Sequence, residues 1–171
     1  MHETPEDLAQ LQDLLDRSYA AAGQHLLNNF SEQSRLTATE LVETLDGIFE
    51  IHIAVINAEG APIVAPVDAV IFRGKIWFGF PPGAYRNKLL RQDDRVSASY
   101  TRGESFLLLA HGTARQVLAD EPVFEPYYAY IRELYVKAYG PGWIKWHEQN
   151  RGEPGAEYNA WLEPRRIYAK R

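Results

Sequence analysis

Apolar residues alternate with polar ones from residue 49 onward, and this two-residue period constrains the fold more than any other feature of the chain. Successive side chains of a β-strand point to opposite faces, so the period predicts a strand with one buried face, formed by Phe49, Ile51, Ile53 and Val55. Residues 57–60 and 73–74 are turn-forming sequences, and they bound two further predicted strands, Pro62–Phe72 and Lys75–Phe80. Three consecutive antiparallel strands predict a meander, which is typical of β-barrels.

Helices and further strands are predicted on both sides of this meander. Thr4 and Thr37 each stand where a hydroxyl can cap the first turn of a helix. The predicted helices span residues 4–28, 37–47, 85–92 and 120–139, and the remaining predicted strands span residues 95–100, 105–118 and 157–169. We expect one domain, with the N-terminal helix in residues 1–35, the barrel core in residues 36–118, and a helix and a C-terminal strand in residues 119–171.

The composition restricts the functions that the chain can have. A net charge of −5 over 171 residues argues against a general nucleic-acid-binding surface, so any site for an anion must be local. The absence of cysteine excludes thiol nucleophiles and Cys-ligated metals. No apolar run approaches the ~20 residues needed to span a bilayer, and no secretory signal is visible. We therefore expect a cytoplasmic protein that acts on a small molecule and has no membrane or nucleic-acid partner.

Residues 74–100 predict a strand, a tight turn, a short basic helix and another strand. The turn contains the sequence Pro-Pro-Gly at residues 81–83, and Arg86 and Lys88 follow in the first turns of the helix. Backbone N–H groups at a helix N-terminus lack partners within the helix, and cationic side chains beside them strengthen the binding of an anion. This stretch therefore predicts a site for an anion such as phosphate.

Together with residues 62–70, this stretch resembles the FMN-binding split-barrel family related to pyridoxamine 5'-phosphate oxidases. The resemblance covers residues 36–118, about half of the chain. It implies a mainly-β (α+β) fold, a six-stranded antiparallel split β-barrel with flanking helices. It also implies a homodimer with two flavin sites at the subunit interface, and the function of an FMN-dependent oxidoreductase. The substrate is not implied.

The resemblance also indicates which residues bind FMN. The family places a phosphate-binding Lys or Arg at the mouth of the short helix, where this chain has Arg86 and then Lys88, and similar proteins lay the strand that matches residues 63–67 along the flavin ring. The implied site consists of Val64, Ala65, Pro66, Val67, Phe78, Phe80, Pro81, Arg86, Lys88, Leu89 and Trp161. Phe80 departs from the pattern, because similar sequences often have Ser or Thr there as an extra phosphate donor. No residue is assigned a catalytic role and no metal is expected, since the flavin itself carries the electrons.

Two other functions fit the same residues. The basic helix with Arg86, Lys88 and Arg91 suits the long acidic tail of a deazaflavin, so a deazaflavin-dependent reductase is one alternative. A non-enzymatic protein that binds flavin or haem in the same cleft is the other. Absorbance of the purified protein separates the flavin from the deazaflavin.

Three further groups of residues have open interpretations. Tyrosines and tryptophans are frequent in residues 127–146, where packing in the core or in an interface is favoured over a substrate-pocket wall. Residues 163–166 offer cations for an anionic substrate or for the flavin of a partner subunit, or they form a solvated end of the chain's last strand. His52 and His111 lie on predicted strands without the nearby partner of a metal pair, which favours a structural role.

Overall fold

The computed structural model describes residues 2–150 and 157–171, and these form a closed antiparallel barrel of six strands with six flanking α-helices. The strands are β1 (Phe49–Ile56), β2 (Pro62–Phe72), β3 (Lys75–Phe80), β4 (Arg95–Thr101), β5 (Leu107–Val117) and β6 (Tyr158–Lys170). The helices are α1 (Pro5–Ala20), α2 (Gln24–Asn29), α3 (Ala38–Thr44), α4 (Tyr85–Leu90), α5 (Phe124–Tyr139) and α6 (Gly142–Asn150). The strands follow the order β1-β2-β3-β6-β5-β4 around the barrel, and β4 pairs with β1 to close it.

The expected mainly-β, six-stranded antiparallel split barrel is confirmed. The prediction for the N-terminal helix is wrong in detail. The N-terminal helix ends at Ala20, and a separate helix begins at Gln24 after the cap residue Gly23, where one helix to residue 28 was expected. The predicted helix stop after Tyr139 is confirmed, since α5 ends there with Gly140 as its cap, but a further helix, α6, begins at Gly142 and was not predicted.

The six residues of β3 are too few to cover its neighbours, and this shortness gives the barrel its split. β3 pairs with Ala69–Phe72 of β2 on one side and with Tyr158–Trp161 of β6 on the other. The first half of β2, residues 62–68, pairs with β1 alone, and residues 162–170 of β6 pair with β5 alone among the named strands. The barrel therefore has one open strand edge at each end of β3.

Helix α1 covers the open edge of β6 with side-chain hydrogen bonds. The hydroxyl of Ser18 accepts a hydrogen bond from the backbone N–H of Ile167 at 2.9 Å. The hydroxyl of Tyr19 accepts from the N–H of Ala169 at 3.0 Å and donates to the carbonyl of the same residue at 2.7 Å. These contacts take the place of a neighbouring strand, because buried backbone N–H and C=O groups need partners.

A second apolar layer lies outside the barrel, beneath α5. Along β2 the residues Ala69–Phe72 are all buried, since alternate side chains face the barrel interior and α5. The layer between the barrel and α5 is formed by Val70, Phe72, Trp77, Val117, Phe124, Tyr127, Tyr130 and Ile131. This packing fixes α5 across the outer face of β2 and β3, and α6 follows it.

Candidate functional site

A cavity of about 350 Å³ lies between the outer face of β2 and β3 and the two helices α5 and α6. Helix α4 and the turn before it stand at one end of this cavity, and the start of β6 contributes to its floor. The residues that line it are Val67, Asp68, Ala69, Val70, Trp77, Gly79, Phe80, Pro81, Arg86, Tyr127, Ile131, Tyr135, Trp143, Trp146, His147, Asn150, Glu157 and Asn159. The volume lies within the range of about 300–1,000 Å³ that small-molecule sites occupy.

Arg86 is held at the end of the cavity by two contacts. Its Nη1 donates a hydrogen bond to the carbonyl of Ala65 at 3.2 Å, and its guanidinium carbon lies 4.6 Å from the centre of the Phe80 ring. Partial burial lowers the pKa of Arg86 from its usual value, but a guanidinium remains charged in proteins. Its other N–H groups have no hydrogen-bond partner in residues 2–150 and 157–171. The cavity thus has a fixed cation whose remaining N–H groups can donate hydrogen bonds to a ligand.

Stacked rings form the wall of the cavity opposite the barrel. Tyr135 of α5 stacks on Trp143 of α6 with ring centres 4.8 Å apart, and Trp143 stacks on His147 at 4.6 Å. On the barrel side, Tyr127 stacks on Trp77 at 4.0 Å. Trp77 is fully buried beneath Tyr127, so the accessible aromatic surface of the cavity lies mainly on the α6 side, where Trp146 is 59% exposed. Aromatic side chains bind planar rings by offset stacking, and this side of the cavity suits such a ligand.

Polar groups also face the cavity from β2 and α5. The hydroxyl of Tyr135 donates a hydrogen bond to Oδ2 of Asp68 at 3.0 Å. Burial, followed by the charge of Asp68, raises the pKa of Tyr135 above its usual value, so Tyr135 stays a neutral donor at physiological pH. This pair joins the second half of α5 to the segment of β2 that has no strand on its other side.

Gly79 leaves space in the cavity because it has no side chain. A Cβ atom at this position would lie 3.0 Å from Oδ1 of Asn159 on the neighbouring strand β6. A side chain there would push the Asn159 amide away and fill part of the cavity. The glycine leaves the carboxamide, with one donor and one acceptor group, on the floor.

The structure brings four of the predicted FMN-binding residues to the cavity lining: Val67, Phe80, Pro81 and Arg86. Ala65 joins them through its carbonyl, which accepts from Arg86.

The remaining predicted residues lie outside the lining. Val64, Pro66 and Lys88 are exposed, Phe78 and Leu89 are buried in the barrel core, and Trp161 is half-buried next to Trp77. Val64, with 65% of its surface exposed, lies on the open edge segment of β2.

Sequence reasoning did not commit to the α5 and α6 side of the cavity. The frequent aromatic residues at 127–146 were the available signal, and the interpretation favoured packing over a pocket wall. In the structure Tyr127 is buried in the layer under α5 and also lines the cavity. Asp68, Gly79 and Asn159 gave no signal, since their roles depend on strand register.

The described residues contain neither a metal-binding cluster nor a membrane-spanning helix. No group of three or more His, Cys, Asp or Glu side chains in this part of the chain is arranged to hold a metal ion. None of the helices in residues 2–150 and 157–171 has the length and apolar character needed to cross a bilayer.

Comparisons with known proteins find the fold and no sequence relative. No protein-family model and no curated protein matches the chain. Among solved structures, an FAD-binding protein from Mesorhizobium loti matches with a TM-score of 0.53 at 17% identity, over 78% of this chain and 94% of that one. An F420 reductase matches with a TM-score of 0.53 at 15% identity, over 73% and 93%. HutZ, a haem storage protein from Vibrio cholerae, matches with a TM-score of 0.53 at 15% identity, over 71% and 85%.

These neighbours are split-barrel proteins, and at such low identity they show the shared fold alone. The match to Atu2129, a protein of unknown function from Agrobacterium tumefaciens, has a TM-score of 0.54 at 13% identity and covers 74% of this chain but 52% of that one. This chain thus spans about half the length of that protein.

Proposed function

We propose that the protein binds FMN in the cavity beside Arg86 and acts as an FMN-dependent oxidoreductase on a small molecule, similar to pyridoxamine 5'-phosphate oxidases. The observation that carries the proposal is the placement of Arg86, a partly buried cation with unused N–H donors, at the end of a cavity lined largely by aromatic residues. A flavin mononucleotide has the matching shape, a planar ring system joined to a dianionic phosphate.

The residues present fit such a cofactor. Trp146, which lines the cavity and is 59% exposed, offers apolar aromatic surface to an isoalloxazine, and Arg86 offers charge-assisted hydrogen bonds to its phosphate. The bound flavin would supply the redox chemistry, while the protein orients it and excludes water. The split-barrel neighbours that bind FAD or act with F420 support a flavin-type ligand.

We further propose that the working form is a homodimer in which the second subunit completes the site. The open edge segment of β2, which was expected to run along the flavin ring, is exposed at Val64 and Pro66. Trp146 lines the cavity and still has 59% of its surface exposed. A second subunit that covers both would bury apolar surface, as dimer interfaces do.

Replacing Arg86 tests the phosphate assignment. We expect Arg86→Ala to weaken FMN binding by roughly 10- to 150-fold, since a hydrogen bond to a charged group is worth about 1.5–3 kcal/mol. Binding of riboflavin, which lacks the phosphate, should change little. Fluorescence quenching on titration of each flavin into the protein measures both constants.

Lys88→Ala is the matched control, because it removes one positive charge from the same helix at an exposed position outside the cavity lining. We expect Lys88→Ala to weaken FMN binding less than Arg86→Ala does. Equal affinity of the wild type for FMN and riboflavin would contradict the assignment. The absorbance spectrum of the purified protein, with the mass of any ligand released on denaturation, separates FMN from a deazaflavin and from haem.

A further inference from the structure

A second concavity of about 480 Å³ lies on the outer face of the barrel, and it shares no lining residue with the cavity beside Arg86. Its basic members come from β4, β5 and β6, and no acidic residue lines it. The lining consists of Ala54, Ile56, Pro62, Arg95, Val96, Ser97, His111, Gly112, Arg165 and Arg166. The whole chain carries a net charge of −5, whereas this concavity is a local region of positive charge.

A β-bulge places two consecutive arginines on this face. His111 of β5 pairs with Arg166 of β6, and Gly112 pairs with Pro164, so Arg165 is an extra residue without a partner on β5. In a regular strand, neighbouring side chains point to opposite faces, and one of the two arginines would face the barrel interior. The bulge removes this alternation, and both arginines are exposed.

The sequence supports the bulge with a glycine. A Cβ atom at Gly112 would overlap the carbonyl oxygen of Glu163, so no side chain fits at this position. Only glycine lets the two strands meet there. Bulges that re-aim side chains are frequent next to binding sites.

Arg165 and Arg166 remain available to a ligand. Arg95 forms an ion pair with Asp93, so its charge is already balanced. Neither Arg165 nor Arg166 forms an ion pair in the described part of the chain. Beside them, the ring of His111 and the hydroxyl of Ser97 lie 3.0 Å apart across β4 and β5.

We infer that this concavity binds the phosphate group of a small phosphomonoester. Two guanidinium groups match the several oxygens of a dianionic phosphate, because each presents a planar fork of N–H donors. The opposite side of the concavity is apolar, with Ala54, Ile56 and Pro62, and it accepts the organic part of the ester. The inference does not depend on the function proposed for the other cavity.

Calorimetric titration with phenyl phosphate, inorganic phosphate and phenol tests the site. Phenyl phosphate should bind more tightly than inorganic phosphate, because its ring contacts the apolar side, and phenol should show no binding. The double variant Arg165→Gln/Arg166→Gln should lose at least about tenfold in affinity for phenyl phosphate. Absence of binding to the wild type, or binding equal to that of the double variant, overturns the inference.

Two control variants separate this site from other sources of affinity. Arg132→Gln removes an exposed arginine of α5 and should leave the affinity unchanged, whereas an equal loss would indicate a general charge effect. Repeating the titrations in the Arg86→Ala background removes the cation of the other cavity. The loss caused by Arg165→Gln/Arg166→Gln should persist there, whereas its disappearance would place the phosphate in the flavin cavity and refute the second site. Wild-type NMR titration gives an independent test, since the amide signals of His111 and Gly112 must shift on addition of phenyl phosphate.

Discussion

At the residue scale, Phe80 shows how a departure from an expected motif is resolved by a neighbour. A hydroxyl donor was expected to help bind phosphate at this position, and phenylalanine cannot donate. In the structure its ring lies under the guanidinium of Arg86, where a cation–π contact contributes about 0.5–2 kcal/mol. Phe80 therefore orients the cation instead of adding a donor.

Gly112 is the residue whose replacement should damage the barrel most directly. We expect Gly112→Ala to lower the free energy of unfolding by at least about 3 kcal/mol, because the new methyl group would overlap the Glu163 carbonyl and force β5 and β6 apart. Chemical denaturation followed by circular dichroism measures this change.

Gly142→Ala is the control for this substitution, since no atom lies within 4 Å of the position where its Cβ would be. This variant should be neutral or up to about 1 kcal/mol more stable, because Gly142 begins α6 and alanine favours a helix. Equal stability of the two variants would mean that the close strand contact at the bulge is absent in solution.

At the scale of elements, the strands followed from the sequence because their turns and their two-residue period are local signals. β1, β2 and β3 match their predicted bounds at Phe49, Pro62–Phe72 and Lys75–Phe80. α6 was missed because the glycines and proline before it resemble the end of a helix. The bulge at Arg165 was beyond sequence reasoning, since it depends on the register of two strands that are distant in the chain.

The same distinction applies to the candidate site. Arg86 was found because a short basic helix after a Pro-Pro-Gly turn is a local pattern. The aromatic wall opposite it was left open, because a run of tyrosines and tryptophans predicts burial without saying which face remains accessible. Asn159 and Gly79 meet only through the pairing of β3 with β6.

The contact of α1 with the open edge of β6 leads to a prediction for Tyr19. Tyr19→Phe should lower the free energy of unfolding by about 1–3 kcal/mol, because it removes the acceptor of the buried N–H of Ala169, while the carbonyl of Ala169 keeps the hydrogen bond from the N–H of Leu36. Thermal or urea denaturation measures the loss. Tyr139→Phe, at a position 64% exposed, is the control and should be close to neutral. A Tyr19→Phe variant as stable as this control would show that α1 packs on β6 without holding its edge.

At the scale of the whole molecule, the two ends of β3 have different surroundings within one subunit. The edge of β6 is covered by α1, whereas the first half of β2 is exposed at Val64 and Pro66 and receives a contact from Arg86 at Ala65. This asymmetry is the structural reason for proposing a homodimer, because exposed strand edges tend to be covered by a partner.

Light scattering at micromolar concentration tests the homodimer. The expected mass is twice the 19.5 kDa of one chain, with flavin bound. A mass of one chain with flavin still bound would contradict the shared site and would require the cofactor to be enclosed within a single subunit. Val64→Glu should shift the equilibrium toward the single chain, because it places a charge in the proposed interface.

The contact between α1 and β6 also determines the order in which parts of the barrel form during synthesis of the protein. Tyr19 and Ala169 are 150 residues apart in sequence. When α1 leaves the ribosome, its partner strand β6 has not yet been translated. The apolar face of α1 can contact β6 only after the other five strands have emerged. Contacts between such distant segments form late, because the intervening chain must first be ordered. The nascent barrel therefore stays open between β3 and β5 until β6 has been translated.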